Sequence, residues 1–209
     1  MKLYSSSASP FVRKVLVAAI ELGLRDRIEL VEAKLSPVSP DPHLSSHNPL
    51  GKIPALVTND GQTIVDSRVI VDYLDDLAGG SRLAPTHGAT RTRILRVEAL
   101  ADGVIDAGIL VRYETVLRPE SLRWGDWIAG QSAKVVQTLA VLDAEVKDWA
   151  ALSTSVESVL DIGTIAVVCA VGWLEFRKPV EGLRERFPAL YAAYDQLAER
   201  PSFRATTPS

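Results

Sequence analysis

The sequence predicts two unlike halves: an α+β domain on a four-stranded mixed sheet, then an all-α helical bundle. Three observations carry this reading. Residues 1–77 alternate short apolar runs with amphipathic helical runs. Residues 78–90 hold three glycines and Pro85 without apolar periodicity, which marks a linker. Residues 91–209 carry apolar stripes at helical spacing alone.

Lys2-Leu3-Tyr4 reads as a short strand. Ser9-Pro10 then opens a helix, with Pro at the first helical position, where its missing N–H costs nothing. Val12, Val15, Leu16, Ala19 and Ile20 give that helix an apolar face, and Gly23 ends it. Ile28 to Val31 reads as a second strand, parallel to the first through a right-handed crossover. Between Ser36 and Pro49, four prolines among serines and histidines predict a loop with at most a short helix. Ala55-Leu56-Val57 and Thr63-Ile64-Val65 flank Asn59-Asp60-Gly61, a hairpin signature. Ser67 to Leu77 returns to helix, with Val69, Ile70, Tyr73, Leu74 and Leu77 inward.

In the helical half, Val97, Ala101, Val104, Ile105 and Gly108 form one stripe, and Val135, Leu139, Leu142, Val146 and Trp149 another. Ser158 to Phe176 is apolar nearly all round and belongs at the centre of the bundle. Its start, Ser158-Val159-Leu160-Asp161, has the form of a capping box with Asp in place of Glu. A last helix runs from about Pro188 to Glu199 and stops near Pro201.

Composition excludes several classes. The 209 residues carry a net charge of -3, so no basic excess exists to neutralise phosphates or anionic membranes. The single cysteine, Cys169, permits neither an internal disulfide nor dithiol chemistry and suits a reducing, cytoplasmic location. Its helix is the most apolar in the chain, so an inert core thiol is expected. The N-terminus, MKLYSSSASP, lacks the apolar run of a secretory signal. The apolar stretch Ile162 to Leu174 is about 13 residues, short of the roughly 20 that span a bilayer.

Three local features can carry chemistry. Ser9, at a helix N-terminus straight after a strand, sits where N–H groups and the positive dipole end converge. A thiolate brought there would have its pKa lowered, and the hydroxyl can donate to it. The ordinary work of such a serine is capping, and Ser5, Ser6 and Ser7 compete for the role. Asn48-Pro49-Leu50-Gly51-Lys52-Ile53-Pro54 precedes a strand. There the Ile53 backbone can pair with an extended peptide and Lys52 with a carboxylate; a surface loop with a solvated lysine fits equally. In Asp66-Ser67-Arg68, the Ser67 hydroxyl and the helix N–H groups offer an anion site beside a carboxylate suited to an ammonium group; capping is the plainer use.

Taken together, these motifs resemble the glutathione transferase superfamily: Ser-Pro-Phe-x-Arg, then Asn-Pro-Leu-Gly-Lys-Ile-Pro after about 40 residues, then Asp-Ser before a helix about a dozen on. Ser158-x-x-Asp161, Phe187-Pro188 and Arg200-Pro201-Ser202-Phe203 extend the resemblance across the chain. Glu98-Ala99-Leu100-Ala101-Asp102-Gly103 and Asp106-Ala107-Gly108 are similar to the bacterial YibF-like group. The resemblance implies a thioredoxin-like glutathione-binding domain over 1–77, a linker over 78–90 and an all-helical domain over 91–209. It implies that Ser9 stabilises the glutathione thiolate, that Ile53 pairs with the cysteinyl unit beside a cis Pro54, that Lys52 faces the glycyl carboxylate and that Asp66 and Ser67 hold the γ-glutamyl end. Phe11 joins the glutathione-site set and, with Tyr113 and Trp124, is a candidate wall of an acceptor pocket between the domains.

The implied activity is conjugation of glutathione, as co-substrate, to a small, partly apolar electrophile by a homodimeric detoxification-type enzyme without a metal. Glutathione-dependent isomerisation and dehalogenation share the scaffold. So does a non-enzymatic binding module like the stringent starvation proteins. A glutaredoxin-like reductase is disfavoured because no cysteine stands at the catalytic position. Tyr4, at the end of the first strand, is a lesser candidate for the thiol-activating hydroxyl. His43, His47 and His87 read as loop residues, and no metal-ligand cluster or phosphate loop stands out.

Overall fold

A computed structural model of the chain describes residues 1–149 and 159–209; Ser158 and the Trp149 side chain lie outside the described residues. Strand β1 (Lys2–Ser5) buries Leu3 and Tyr4 and leads through Ser9 into α1 (Pro10–Glu21). Gly23 takes φ +73° just beyond the helix, a conformation that favours glycine. A short turn returns the chain to β2 (Glu29–Glu32), parallel to β1 with Leu3 opposite Leu30. The loop that follows contains only α2 (Pro42–His47), capped by Asp41. Strands β3 (Ala55–Val57) and β4 (Thr63–Ile64) form the hairpin, and β3 lies antiparallel to β1. The sheet order is β2-β1-β3-β4.

Helix α3 (Ser67–Leu77) buries Ile70, Val71 and Leu74. Val69 and Leu77, expected inward, are 52% and 37% exposed. The face that meets α1 is the one carrying Ser67, Ile70, Val71 and Leu74, at i, i+3, i+4 and i+7, and Val69 and Leu77 lie beside it.

Helix α4 (Ala89–Arg112) begins inside the stretch read as linker. A one-turn π-helical segment, Tyr113–Leu117, follows it, then α5 (Gly125–Trp149), α6 (Ile162–Arg177), α7 (Leu183–Arg186), α8 (Pro188–Ala198) and α9 (Pro201–Arg204). Every residue of α6 from Ile162 to Leu174 is buried, which makes it the axis of the helical half. The capping expectation needs correction. Asp161 is itself the cap: its carboxylate accepts from the Thr164 N–H at 2.9 Å and from the Thr164 hydroxyl at 3.0 Å. The helix therefore starts three residues later than a cap at Ser158 would place it. Among the described residues no helix is long and apolar enough to cross a membrane.

α4 and α6 pack more extensively than any other pair of elements. Gly163 permits this approach. A Cβ there would lie 2.7 Å from the Ile94 carbonyl oxygen and 3.1 Å from Val97 Cβ. Gly163→Ala is therefore expected to lose about 1 kcal/mol or more, because relieving a backbone clash costs about 1–3 kcal/mol. Gly130→Ala on α5, where nothing lies within 4 Å, should instead gain up to about 1 kcal/mol of helix propensity. Urea unfolding of the two variants should move the midpoint in opposite directions.

Candidate functional site

The sheet topology gathers the three sequence motifs. Tyr4 lies opposite Ala55, and Leu56 opposite Ile64. The end of β1, the start of β3 and the end of β4 therefore lie at one end of the sheet. From that end emerge Ser9, the Ile53–Pro54 pair and Asp66-Ser67.

Ser9 caps α1, its hydroxyl oxygen accepting from the Val12 N–H at 3.3 Å. A hydroxyl has one proton and two lone pairs, so capping leaves its O–H free to donate. The other serines are differently placed. Ser5 donates to the Val31 carbonyl at 3.4 Å and Ser7 to the Ser209 carbonyl at 2.9 Å, while Ser6 shares a cavity with Ser9. Tyr4 is buried, and its hydroxyl faces His43 Nε2 at 3.4 Å, with the His43 and His47 rings packed around it. Burial pushes the Tyr4 hydroxyl above its ordinary pKa, with Asp41 adding to the shift. These two histidines belong to α2 and not to open loop; His87 pairs with the Thr86 hydroxyl at 2.8 Å.

The Ile53–Pro54 bond is cis, as is Val65–Asp66. The Ile53 N–H and C=O enter no hydrogen bond among the described residues. The loop before them is held by Asn48, which donates to the Lys52 carbonyl at 2.8 Å and accepts from the Leu50 N–H at 3.1 Å. Lys52 is exposed. Asp66 caps α3, accepting from the Arg68 N–H at 2.9 Å, and Ser67 is buried at the first helical position.

A cavity of about 400 Å³ opens beside Ser9, within the range of small-molecule sites. Its walls come from both halves: Ser6, Ala8, Ser9 and Pro10; Leu35, Ser36 and Pro37; Ile109, Arg112, Tyr113, Val116 and Leu117; and Trp173 with Arg177. Tyr113 is thus on the wall. Trp124 is not: it stacks on Trp127 at 6.3 Å and is 62% exposed. Glu114 explains this, because it accepts from Arg118 Nε at 2.8 Å and from the Trp124 N–H at 2.9 Å, fixing the turn after α4. Phe11 is half-buried against the helical core, with Lys14 Nζ 5.9 Å above its ring, and does not line the cavity. Cys169 is fully buried, and its thiol is pushed up to about 12 by burial.

Sequence reading missed two groups. One is the cavity's pair of arginines, Arg112 and Arg177. The other is a buried ionic cluster joining α1, α3 and α4. Lys14 Nζ donates to Glu98 at 3.0 Å and to both oxygens of Asp102 at 2.9 Å, and Arg68 Nε donates to Asp102 at 2.7 Å. Asp106, exposed at the surface, continues the row; its pKa is raised, chiefly by desolvation, which outweighs the lowering by Lys52 and Arg68. A signal was available: Glu98, Asp102 and Asp106 recur every four residues, which puts three carboxylates on one helix face.

Comparisons with known proteins bear on the family and the fold. The family model "Glutathione S-transferase, N-terminal domain" matches residues 8–77. The GST-like protein YibF of Escherichia coli (strain K12), itself uncharacterized, is 34% identical over 208 residues, 100% of this chain and 98% of its own. A glutathione transferase family member from Pseudomonas fluorescens Pf-5, solved with bound glutathione, is 46% identical with a TM-score of 0.93, covering 100% of this chain and 98% of that one. A structure of a Pseudomonas fluorescens Pf-5 family member with bound S-(propanoic acid)-glutathione gives 44% identity and a TM-score of 0.88, covering 100% of both chains. With a relative matched end to end at 34% identity, the chain belongs to the glutathione S-transferase superfamily, in its YibF-like group.

Proposed function

We propose that the chain is a glutathione transferase, joining the glutathione sulfur to a carbon of a small, partly apolar electrophile held in the cavity. The position of Ser9 carries this reading: it stands at the N-terminus of α1 and on the wall of a cavity built from both halves. A thiol brought there meets the positive end of the helix dipole and a free O–H donor, both of which favour the thiolate. In this reading residues 1–77 form the glutathione-binding domain, 78–90 the linker and 91–209 the domain that walls the acceptor, within a homodimer. The unpaired Ile53 backbone takes the cysteinyl unit, Lys52 the glycyl carboxylate, and Asp66 with Ser67 the γ-glutamyl end. Tyr113 lines the acceptor side. A relative that holds a carbon-substituted glutathione supports this reaction, since such a thioether is its product.

The test is thermal melting with and without glutathione. At a hundredfold excess over Kd, linkage adds about 2.7 kcal/mol. For a chain of this size that raises Tm by roughly 5–10 °C. Asp66→Ala is expected to shrink the rise, the increment being compared so that the variant's lost cap cancels. Absence of any rise in the wild type would overturn the reading in favour of a non-enzymatic module on the same fold.

A further inference from the structure

Arg112 ends α4 and Arg177 ends α6, and both half-buried side chains reach the cavity that Ser9 lines. Neither forms an ion pair among the described residues, whereas Arg68, Arg96, Arg118 and Arg184 each hold a carboxylate. The Phe176 ring, 4.3 Å from the Arg177 guanidinium carbon, steadies that side chain from outside. Both cations line this one cavity, and burial lowers the pKa of Arg177, with the like charge of Arg112 lowering it further. A basic residue suits the C-terminal end of any helix. That accounts for one arginine per helix, but not for two converging on a single cavity from separate helices.

We propose that Arg112 and Arg177 select an electrophile bearing a carboxylate beside its apolar body. The inference rests on the reading of this cavity as the acceptor site. Guanidinium forks match a carboxylate in geometry and charge. An anion between them relieves their mutual repulsion. It also offsets the repulsion that a carboxylate would otherwise meet from an approaching thiolate. With 4-(chloromethyl)benzoate as acceptor, the sulfur lone pair forms the C–S bond at the benzylic carbon. The C–Cl bond breaks, chloride leaves with its electron pair, and the thiol proton passes to water. The product is S-(4-carboxybenzyl)glutathione.

Calorimetric titration of three ligands separates the claims: glutathione, S-benzylglutathione and S-(4-carboxybenzyl)glutathione. The carboxylated conjugate is expected to bind roughly tenfold or more tightly than the benzyl one. Arg112→Gln and Arg177→Gln should each erode that preference, and the double variant should abolish it, with glutathione affinity as the internal reference. Equal binding of the two conjugates to the wild type would overturn the proposal and leave the glutathione site standing. A parallel fall in affinity for glutathione itself would assign the arginines to the tripeptide and overturn it too. If none of the three binds, the acceptor-site reading fails and the proposal with it.

Discussion

Ser9→Ala is expected to lower kcat by about ten- to a hundredfold while leaving the KM for glutathione nearly unchanged. A hydrogen bond to a charged group contributes about 1.5–3 kcal/mol, and each 1.36 kcal/mol is a factor of ten in rate. The tripeptide's charged ends and backbone would still be held elsewhere in the site, so the loss falls on the thiolate and not on binding. The pH profile gives a second readout. A donor to the thiolate lowers its pKa, so removing the donor raises it, and the acid limb of kcat should move upward by about 1–2 pH units. Ser9 also caps α1, so alanine should cost about 1 kcal/mol of stability as well. Ser9→Thr, which keeps both hydroxyl and cap, separates the roles and should restore most of the rate. Steady-state kinetics across pH on both variants decides the matter. An unshifted limb in Ser9→Ala would transfer the assignment to Ser6, the other serine on the cavity wall.

Local chemistry made the sheet half legible. Asn59-Asp60-Gly61 joins two strands that do pair antiparallel, and Ser9-Pro10 opens a helix at the position its cap and fixed φ dictate. Those same signals placed Ser9, Ile53 and Asp66, because each stands at the boundary of an element whose ends sequence can mark. The rest depended on how helices cross. Lys14 meets Glu98 and Asp102 across 84 and 88 residues of chain, and in sequence an acidic row on α4 looks like a solvated face. Arg112 and Arg177 share a cavity because α4 and α6 pack closely at that end as well, where a Cβ on Gly108 would lie 2.7 Å from Trp173 Cζ3. Trp124 was misplaced for a related reason. Its orientation is set by a hydrogen bond from its own backbone to Glu114, ten residues away, and not by its aromatic character.

Lys14→Met should destabilise the fold by about 3–5 kcal/mol at neutral pH, because it leaves a buried carboxylate without a counter-charge. Lys14 is fully buried on α1, and its removal strips Glu98 of its hydrogen-bonded cation. Asp102 keeps Arg68 at 2.7 Å, so Glu98 bears most of the cost. Glu98 already titrates above its ordinary value of 4.5, because burial raises it more than Lys14 lowers it. Without Lys14 the rise is larger. Over the window between 4.5 and the folded value, the native state holds a proton that the unfolded state has released, so stability falls as pH rises and levels off above the folded value. The penalty in Lys14→Met therefore grows as pH rises through the folded value and shrinks as pH falls toward 4.5, where a protonated Glu98 needs no partner. The double variant Lys14→Met/Glu98→Leu removes both charges, keeps the Arg68–Asp102 pair balanced and should recover most of the loss, since replacing a buried pair by apolar groups is often neutral. Urea unfolding of the wild type, single and double variants at two pH values tests each step. A single variant that loses the same stability at both pH values would show that Glu98 is not the group left stranded, and that the lysine acts through the packing of its four-carbon stem between the two halves.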